Sequence, residues 1–382
     1  MRASRYLAEL QRVSFAAIGV EPASRHAVEG LNEVSSLLWI LAQSAPLLDP
    51  VRYGEFRTTT CEELGRRREG RGPWKLRTSF DDLLAPIAAD AIALAREVCD
   101  EPGLDPTCGS LPLGHLEGLV IAVPDQPLTQ IVVTDEWFPT YANLLAKVLA
   151  RVLVGLEAGE TASLSLGSPT VSRFLEMMLA TLNSRPSDAP QYYPDQEPTY
   201  LQVVQVVRTA IETFVLARLI AHVALDHHER APLLPVSLPG ATVHARRFDQ
   251  GQVTEADAAA LLITLRAPGL DGAGALVVAS VDLFLATLAM LDDARALEAR
   301  AAQPAPEPSA VDWLTSEEAA EPAYHDARRA ALREYLRELE GEPKHDGGPG
   351  DSPPARVTEW LDQLDEVPRV LWGHLKTVLE AR

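Results

Sequence analysis

The sequence predicts an α+β protein that is mostly helical, with a small β-sheet and a helical C-terminal appendage. Apolar residues recur every three or four positions through most of the 382-residue chain, which is the spacing of helices that bury one face. Two short runs rich in β-branched residues, 118–124 and 129–133, flank a proline-containing turn and predict a strand pair. Two proline-containing linkers, 301–309 and 341–354, set the last part of the chain apart.

The order of the elements places one strongly apolar helix, residues 200–228, at the centre of the protein. It carries few charges, as is expected of a helix that is buried on all sides. A proline-rich break over 231–240 follows it, and residues 242–248 have the composition of a further strand. Other helices are predicted over 5–42, where Pro22 separates two of them, and over 80–98, 137–156, 171–182, 254–265, 275–299, 313–339 and the C-terminus.

Composition disfavours several classes of protein. The 34 Lys and Arg residues against 54 Asp and Glu give a net charge of −20, which disfavours nucleic acid or an anionic membrane as partner of the whole molecule. Cys61, Cys99 and Cys108 are too few for a disulfide framework. We find no signal-peptide pattern, and we expect no stretch to reach the roughly 18 apolar residues of a membrane span. These features predict a cytoplasmic protein, and the richness in Ala, Arg and Pro is typical of a bacterial one.

The central helix contains the clearest chemical signal, the run Arg218-Leu219-Ile220-Ala221-His222. It resembles the active-site helix of the gluzincin zinc metallopeptidases, which carries H-E-x-x-H. Histidines four residues apart lie on one helical face, where both can reach one Zn²⁺, and the intervening Glu acts as general base. By this resemblance His222 matches the second histidine of the family.

The resemblance continues downstream of the central helix. Glu255-Ala256-Asp257 is similar to the start of the family's second helix, whose glutamate is the third zinc ligand, so that Glu255 would match it. The similarity covers roughly residues 118–290 and implies a zincin-like core. We expect an N-terminal helical region (1–112), that core (113–300) and a linker-tethered helical C-terminal segment (301–382).

Two positions hold residues that cannot perform the chemistry of the family. Arg218 stands where the family has its first histidine, and Leu219 where it has the general base. Arginine stays protonated and repels a cation, and loss of the base removes about 10²–10⁴ of rate. The resemblance therefore implies a degenerate site of Arg218, Leu219, His222 and Glu255, with no catalytic residue and no expected cofactor. We expect Arg218 to take part of the metal position and to bond Glu255, with His222 as a neutral hydrogen-bond partner.

The neighbouring histidines leave alternatives open. His227 and His228 lie near the predicted helix end, where solvated histidines interact favourably with the helix dipole. Alternatively, Zn²⁺ could bind His222, Glu255 and one of these two histidines, with Glu229 as an unusual base, which would make an active metal-dependent peptidase. In a third interpretation the chain is an unrelated helical interaction protein, in which His222 and Glu255 lie far apart.

Two further groups are expected to be structural. Cys99, Cys108 and His115 do not have the spacing of a closed zinc site. The basic loop over residues 66–77 is expected to be solvated rather than bound to nucleic acid.

The terminal helix has an apolar face with two tryptophans, Trp360 and Trp372. This face must pack on the body of the protein, which we favour, or on a partner. The sequence thus predicts a catalytically inactive, metallopeptidase-like protein that binds a protein or peptide as a scaffold or regulator.

Overall fold

A computed structural model describes residues 2–19, 80–157, 165, 168–183, 198–301, 324–341 and 357–381. The predicted second N-terminal helix, the basic loop 66–77, Cys61 and nearly all of both linkers lie outside these ranges. The described residues are mostly helical with a small mixed sheet, so the predicted α+β class is confirmed.

The helices and strands follow in an order that places most strands before the central helix and a hairpin after it. They are α1 (Ala3–Ala17), α2 (Phe80–Val98), β1 (Thr107–Leu111), β2 (Leu119–Val123), β3 (Gln126–Asp135), α3 (Phe138–Glu157), α4 (Pro169–Leu182), α5 (Pro198–Ala224), α6 (His227–Arg230), β4 (Leu233–Leu238), β5 (Ala241–Arg246), α7 (Gln250–Leu265), α8 (Gly274–Ala301), α9 (Tyr324–Gly341), α10 (Val357–Leu364) and α11 (Glu366–Glu380).

The five strands form one sheet in the order β1-β3-β2-β5-β4. β1 and β3 are parallel, whereas the other neighbouring strands are antiparallel. The predicted strand pair is confirmed as β2 and β3, and the predicted further strand is β5. The sequence does not predict β1, which contains Gly109, and the predicted proline-rich break over 231–240 is wrong, because β4 with Pro235 lies within it. Both are edge strands, where such residues are tolerated.

The sheet has a core on each face because its side chains alternate. Ile121 and Val133 belong to a small cluster with Leu7 and Leu10 of α1. Val120 and Val132 face the opposite way and join the main core with the helices. The central helix α5 is buried in that main core, against α2, α3, α7 and α8. This explains its apolar character on every side.

Helix α7 begins earlier than the sequence predicts. Asp249 caps it: its side chain accepts a hydrogen bond from the backbone N–H of Gln252 (2.9 Å), and the Gln252 side chain accepts one from the backbone N–H of Asp249 (3.1 Å). Glu255 and Asp257 therefore lie beyond the first turn of α7, and they face other elements instead of capping a helix.

The C-terminal helices pack onto the main core. Leu361 of α10 and Leu371 and Leu375 of α11 are buried there, as favoured from the apolar face of the terminal helix. One helix of the described chain, Gly274–Ala299, is long and apolar enough to cross a membrane, contrary to expectation. Because 83% of its most apolar window is buried, it fits the core helix of a soluble protein.

Candidate functional site

Arg218 of α5 bonds to the loop between β1 and β2. Its Nη1 donates to the Glu117 carboxylate (2.6 Å) and its Nη2 to the Glu117 backbone oxygen (2.6 Å). The loop passes close to β3 at this point because residue 118 is a glycine. Gly118 has φ +75°, and a Cβ at this position would stand 2.5 Å from the backbone oxygen of Val133. The same Cβ would stand 2.6 Å from Leu219, which is buried beside the glycine. The position that the resemblance assigns to a general base is thus a packing position.

The expected bond between Arg218 and Glu255 is wrong. Both Nη atoms of Arg218 donate to Glu117, while Glu255 contacts His227 and its side chain is 60% exposed. The sequence could not reveal the partner, because Glu117 lies 101 residues away in a loop.

A second arginine completes a buried charge network. Arg328 of α9 donates to both carboxylate oxygens of Asp257 on α7, at 2.6 and 2.7 Å, and also to Glu117. Arg328 and Asp257 are each only 1% exposed. Burial alone would raise the pKa of Glu117, but the positive charges of Arg218, His325 and Arg328 hold it well below its usual range. Burial likewise opposes the charge of Arg328, yet the Asp257 and Glu117 carboxylates raise its pKa well above its usual value.

His325, also on α9, connects this network to α8. Its Nε2 lies 3.1 Å from the carboxylate of Asp292 and 3.6 Å from that of Glu117. Asp292 also pairs with Arg295, at 3.3 Å. Residues from the β1–β2 loop, α5, α7, α8 and α9 are therefore connected by one set of ion pairs.

A chain of histidines leads from the interior to the surface. His222 Nδ1 lies 3.0 Å from His227 Nδ1, and His227 Nε2 lies 3.0 Å from the Glu255 carboxylate. The His222 ring stacks on Phe248 with centroids 3.6 Å apart. Burial, followed by the charge of Arg218, lowers the pKa of His222 well below its usual value, so this imidazole is neutral at pH 7.

The expectation that His227 and His228 are solvated is also wrong, because both are buried. The chain turns sharply at Asp226, whose φ is +53°, and α6 then folds the two histidines inward. The backbone oxygen of His227 accepts a hydrogen bond from Gln252 of α7, at 3.3 Å. A left-handed aspartate is not visible in a sequence pattern.

A cavity of about 120 Å³ lies against this network. Four arginines and two carboxylates line it, which leaves two positive charges in excess although the whole chain carries −20. The charged and histidine residues of its wall are His115, Glu117, Arg218, His222, Arg246, Arg247, Asp292, Arg295 and His325. The remaining wall is largely apolar, from Leu119, Val120, Leu219, Phe248, Val253, Leu288 and Leu291. We call this space the arginine cavity.

The chemistry available in the arginine cavity is limited. Within the described part of the chain its wall contains no Ser, Thr, Cys or Lys, and its reactive side chains are carboxylates, histidines and Tyr324. His222 is a neutral imidazole whose Nδ1 is already bonded to His227. The wall can bind and orient an anionic or apolar group, with arginines and histidines as hydrogen-bond partners.

The predicted metal ligands do not converge on one point. His222, His227 and Glu255 form a linear chain in which both ring nitrogens of His227 are used. Within the described ranges, the group that could hold a metal ion is Asp226, His228 and Glu229, whose ligand atoms lie within 4.8 Å of one another. His228 is the one predicted ligand in that group.

The other predicted groups lie elsewhere. Cys99 and Cys108 are free and half-buried, and burial raises the pKa of the Cys108 thiol to about 12, so it is protonated at pH 7. Trp360 and Trp372 both pack partly buried against the main core. Trp360 also lines a separate cavity of about 550 Å³ between α3, α5, α8 and α10. Binding of a partner by these tryptophans stays a prediction.

Comparison with known proteins does not identify the chain: no family model, no curated protein and no solved structure matches it.

Proposed function

We propose that this protein is a non-catalytic, metallopeptidase-like binding protein that holds a peptide or protein segment at the arginine cavity. The observation that carries the proposal is the ion pair of Arg218 with Glu117, beside the buried Leu219. A fixed positive charge and a packed aliphatic side chain occupy the positions at which the resembling peptidases bind a cation and activate water.

The order of elements supports the metallopeptidase-like part of the proposal. Strands β1 to β3 precede the central helix α5, which carries Arg218 and His222, and α7 with Glu255-Ala256-Asp257 packs against α5. His222 and Glu255 are both bonded to His227, so they lie in one neighbourhood. An unrelated helical interaction protein was expected to have these two residues far apart.

The size of the cavity supports a peptide over a cofactor. Pockets for whole small-molecule ligands or cofactors have about 300–1,000 Å³, whereas a cavity of about 150 Å³ holds one benzene-sized group. A space of about 120 Å³ accepts one side chain or terminal residue of a longer ligand. The rest of that ligand would lie on the surface around Arg247 and Tyr324, which stand at the wall.

Selection of peptides on the full-length protein tests the proposal. We expect a displayed random-peptide library to yield ligands that bind the wild type and bind at least about tenfold more weakly to Arg247→Glu, because an introduced carboxylate reverses the charge of the wall. Arg266→Glu is the matched control, since Arg266 is an exposed arginine at the end of α7 and away from the cavity. Equal binding by all three proteins, or no selected peptide, would contradict the proposal.

A second candidate function is a metal-dependent hydrolase centred on Asp226, His228 and Glu229. The observation that favours it is the proximity of these three ligand groups. Their location in and next to α6 differs from the predicted peptidase site. This hydrolase function requires stoichiometric metal in the purified protein and a hydrolytic activity that is lost in His228→Ala.

A further inference from the structure

Among the buried nitrogen atoms on residues that line the arginine cavity are two, from different elements, without a hydrogen-bond partner in the described part of the protein. They are Arg218 Nε and His115 Nε2. The two Nη atoms of Arg218 each donate to Glu117, and the residue is only 6% exposed. Buried donors are rarely left without an acceptor, since they lose their water on folding and gain nothing in return. Both residues stand in the wall of the same cavity.

The charges around the cavity indicate the sign of the missing partner. Its two carboxylates already have partners: Glu117 pairs with Arg218 and Arg328, and Asp292 pairs with Arg295 and lies 3.1 Å from His325 Nε2. Among the described residues Arg247 forms no ion pair and adds a further positive charge to the wall. An anion in this space would gain hydrogen bonds from charged donors without displacing an existing carboxylate.

The protonation of His115 makes it suitable as a second donor. Burial, partly offset by Glu117 and reinforced by Arg295 and Arg218, lowers its pKa to about 4, so that the ring is neutral at pH 7. A neutral imidazole carries one N–H, and the tautomer protonated at Nε2 can donate it to an acceptor. Arg218 Nε and His115 Nε2 are then two N–H donors without an acceptor on residues that line one cavity.

The apolar part of the wall limits what the anion is attached to. Leu119, Val120, Leu288 and Leu291 line the cavity, so the group beside the charge is apolar. The volume of about 120 Å³ excludes a nucleotide or another cofactor-sized anion. A carboxylate on a residue-sized apolar group satisfies both limits.

We propose that the arginine cavity recognises the free carboxylate of an apolar terminal residue, held by Arg218 Nε and His115 Nε2. This inference rests on the proposed function and specifies its ligand as a peptide with an apolar C-terminus. The same chemistry could come from a free apolar carboxylic acid, and the experiment therefore includes both sources.

The test compares acids with their neutral amides on the full-length protein. Heptapeptide libraries that end in Leu, Ile, Val or Phe are made with a free C-terminal carboxylate and, in parallel, as C-terminal amides. N-acetyl-leucine and N-acetyl-leucinamide are the minimal pair. Affinity is measured by isothermal titration calorimetry or, for weak ligands, by ligand-observed NMR. We expect each acid to bind at least about tenfold more tightly than its amide, because charge-assisted hydrogen bonds are lost in the amide.

Three variants locate the preference in the cavity. Arg218→Lys keeps the positive charge but removes the Nε donor, and we expect it to abolish the preference for the acid. His115→Phe and Arg247→Gln test the same site without touching the buried ion pairs, so they remain informative if Arg218→Lys does not fold. We expect His115→Phe to bring the acid and amide within about threefold of each other. Arg266→Gln, outside the cavity, should leave the ratio at its wild-type value.

The outcomes separate this inference from the proposed function. Tighter binding of acids in both formats supports both. If N-acetyl-leucine binds through Arg218 and His115 but the peptides do not, the carboxylate site stands and the peptide function is wrong. If acids and amides bind equally, the carboxylate inference is wrong while the peptide function survives. Absence of binding by every probe overturns both.

Discussion

Removal of Arg328 is expected to be among the most damaging single substitutions in the described structure. Arg328 and Asp257 are each 1% exposed and are joined by hydrogen bonds of 2.6 and 2.7 Å. No other described residue bonds the Asp257 carboxylate, so Arg328→Met would leave a buried charge without a partner. Breaking a buried pair in this way costs about 3–5 kcal/mol of the free energy of unfolding. The reason is the uncompensated desolvation of the remaining ion rather than the loss of a strong attraction.

Urea unfolding followed by circular dichroism measures this loss, and two controls give it meaning. Arg12→Met removes the exposed pair of Arg12 with Glu9 and should leave the free energy of unfolding nearly unchanged, because solvent screens this pair. Arg328→Met/Asp257→Leu removes both buried charges and should recover most of the stability, because a hydrophobic pair can replace a buried ion pair.

A cost for Arg328→Met no larger than that of Arg12→Met, or a double variant as unstable as the single one, would refute the reasoning.

Three further predictions concern the residues around the site. The folded-state pKa of His115, about 4, lies below its unfolded value of 6.5. The contribution of His115 to the free energy of unfolding is therefore fully present above pH 6.5 and is lost as the pH falls towards 4. That contribution is about 3 kcal/mol. In urea titrations at falling pH, the free energy of unfolding of His115→Phe should therefore decrease by about 3 kcal/mol less than that of the wild type. Gly118→Ala should destabilise the fold by about 2 kcal/mol or more in thermal melts, because φ is +75° and the new Cβ meets a backbone oxygen. An unchanged melting temperature would show that the β1–β2 loop is not fixed at this position. Any zinc retained after desalting is expected at Asp226, His228 and Glu229, so His228→Ala should remove it and His222→Ala should not; the reverse pattern would favour the predicted peptidase ligands.

The sequence predicts those parts of the fold that depend on local patterns. The runs that form β2 and β3 are rich in β-branched residues, and α3 and α4 repeat their apolar residues with the helical period. β4 contains Pro235, which argues against a strand until its position at the sheet edge is known. Edge position depends on the pairing of distant segments, which a single sequence does not display.

The same limit applies to the site. The resemblance to the gluzincins implies that Arg218, His222 and Glu255 belong to one site, and His227 does connect two of them, His222 and Glu255. The partner of Arg218 is Glu117, and the partner of Asp257 is Arg328, 71 residues away on another helix. Such choices between carboxylates depend on the tertiary packing. The burial of His227 and His228 depends on a left-handed turn at Asp226, to which only a weak local preference points.

Mass spectrometry of a peptide recovered from the protein tests the central claim most directly. A peptide with an apolar C-terminus and a free carboxylate is incubated for many hours with the full-length protein and added zinc, captured with it, eluted and weighed. We predict that the peptide is retained and has its full mass, because under the proposed function Arg218 and Leu219, which line the cavity, stand where the resembling peptidases have a metal ligand and a base. Recovery of shortened fragments, formed by the wild type and not by His222→Ala, would contradict the account.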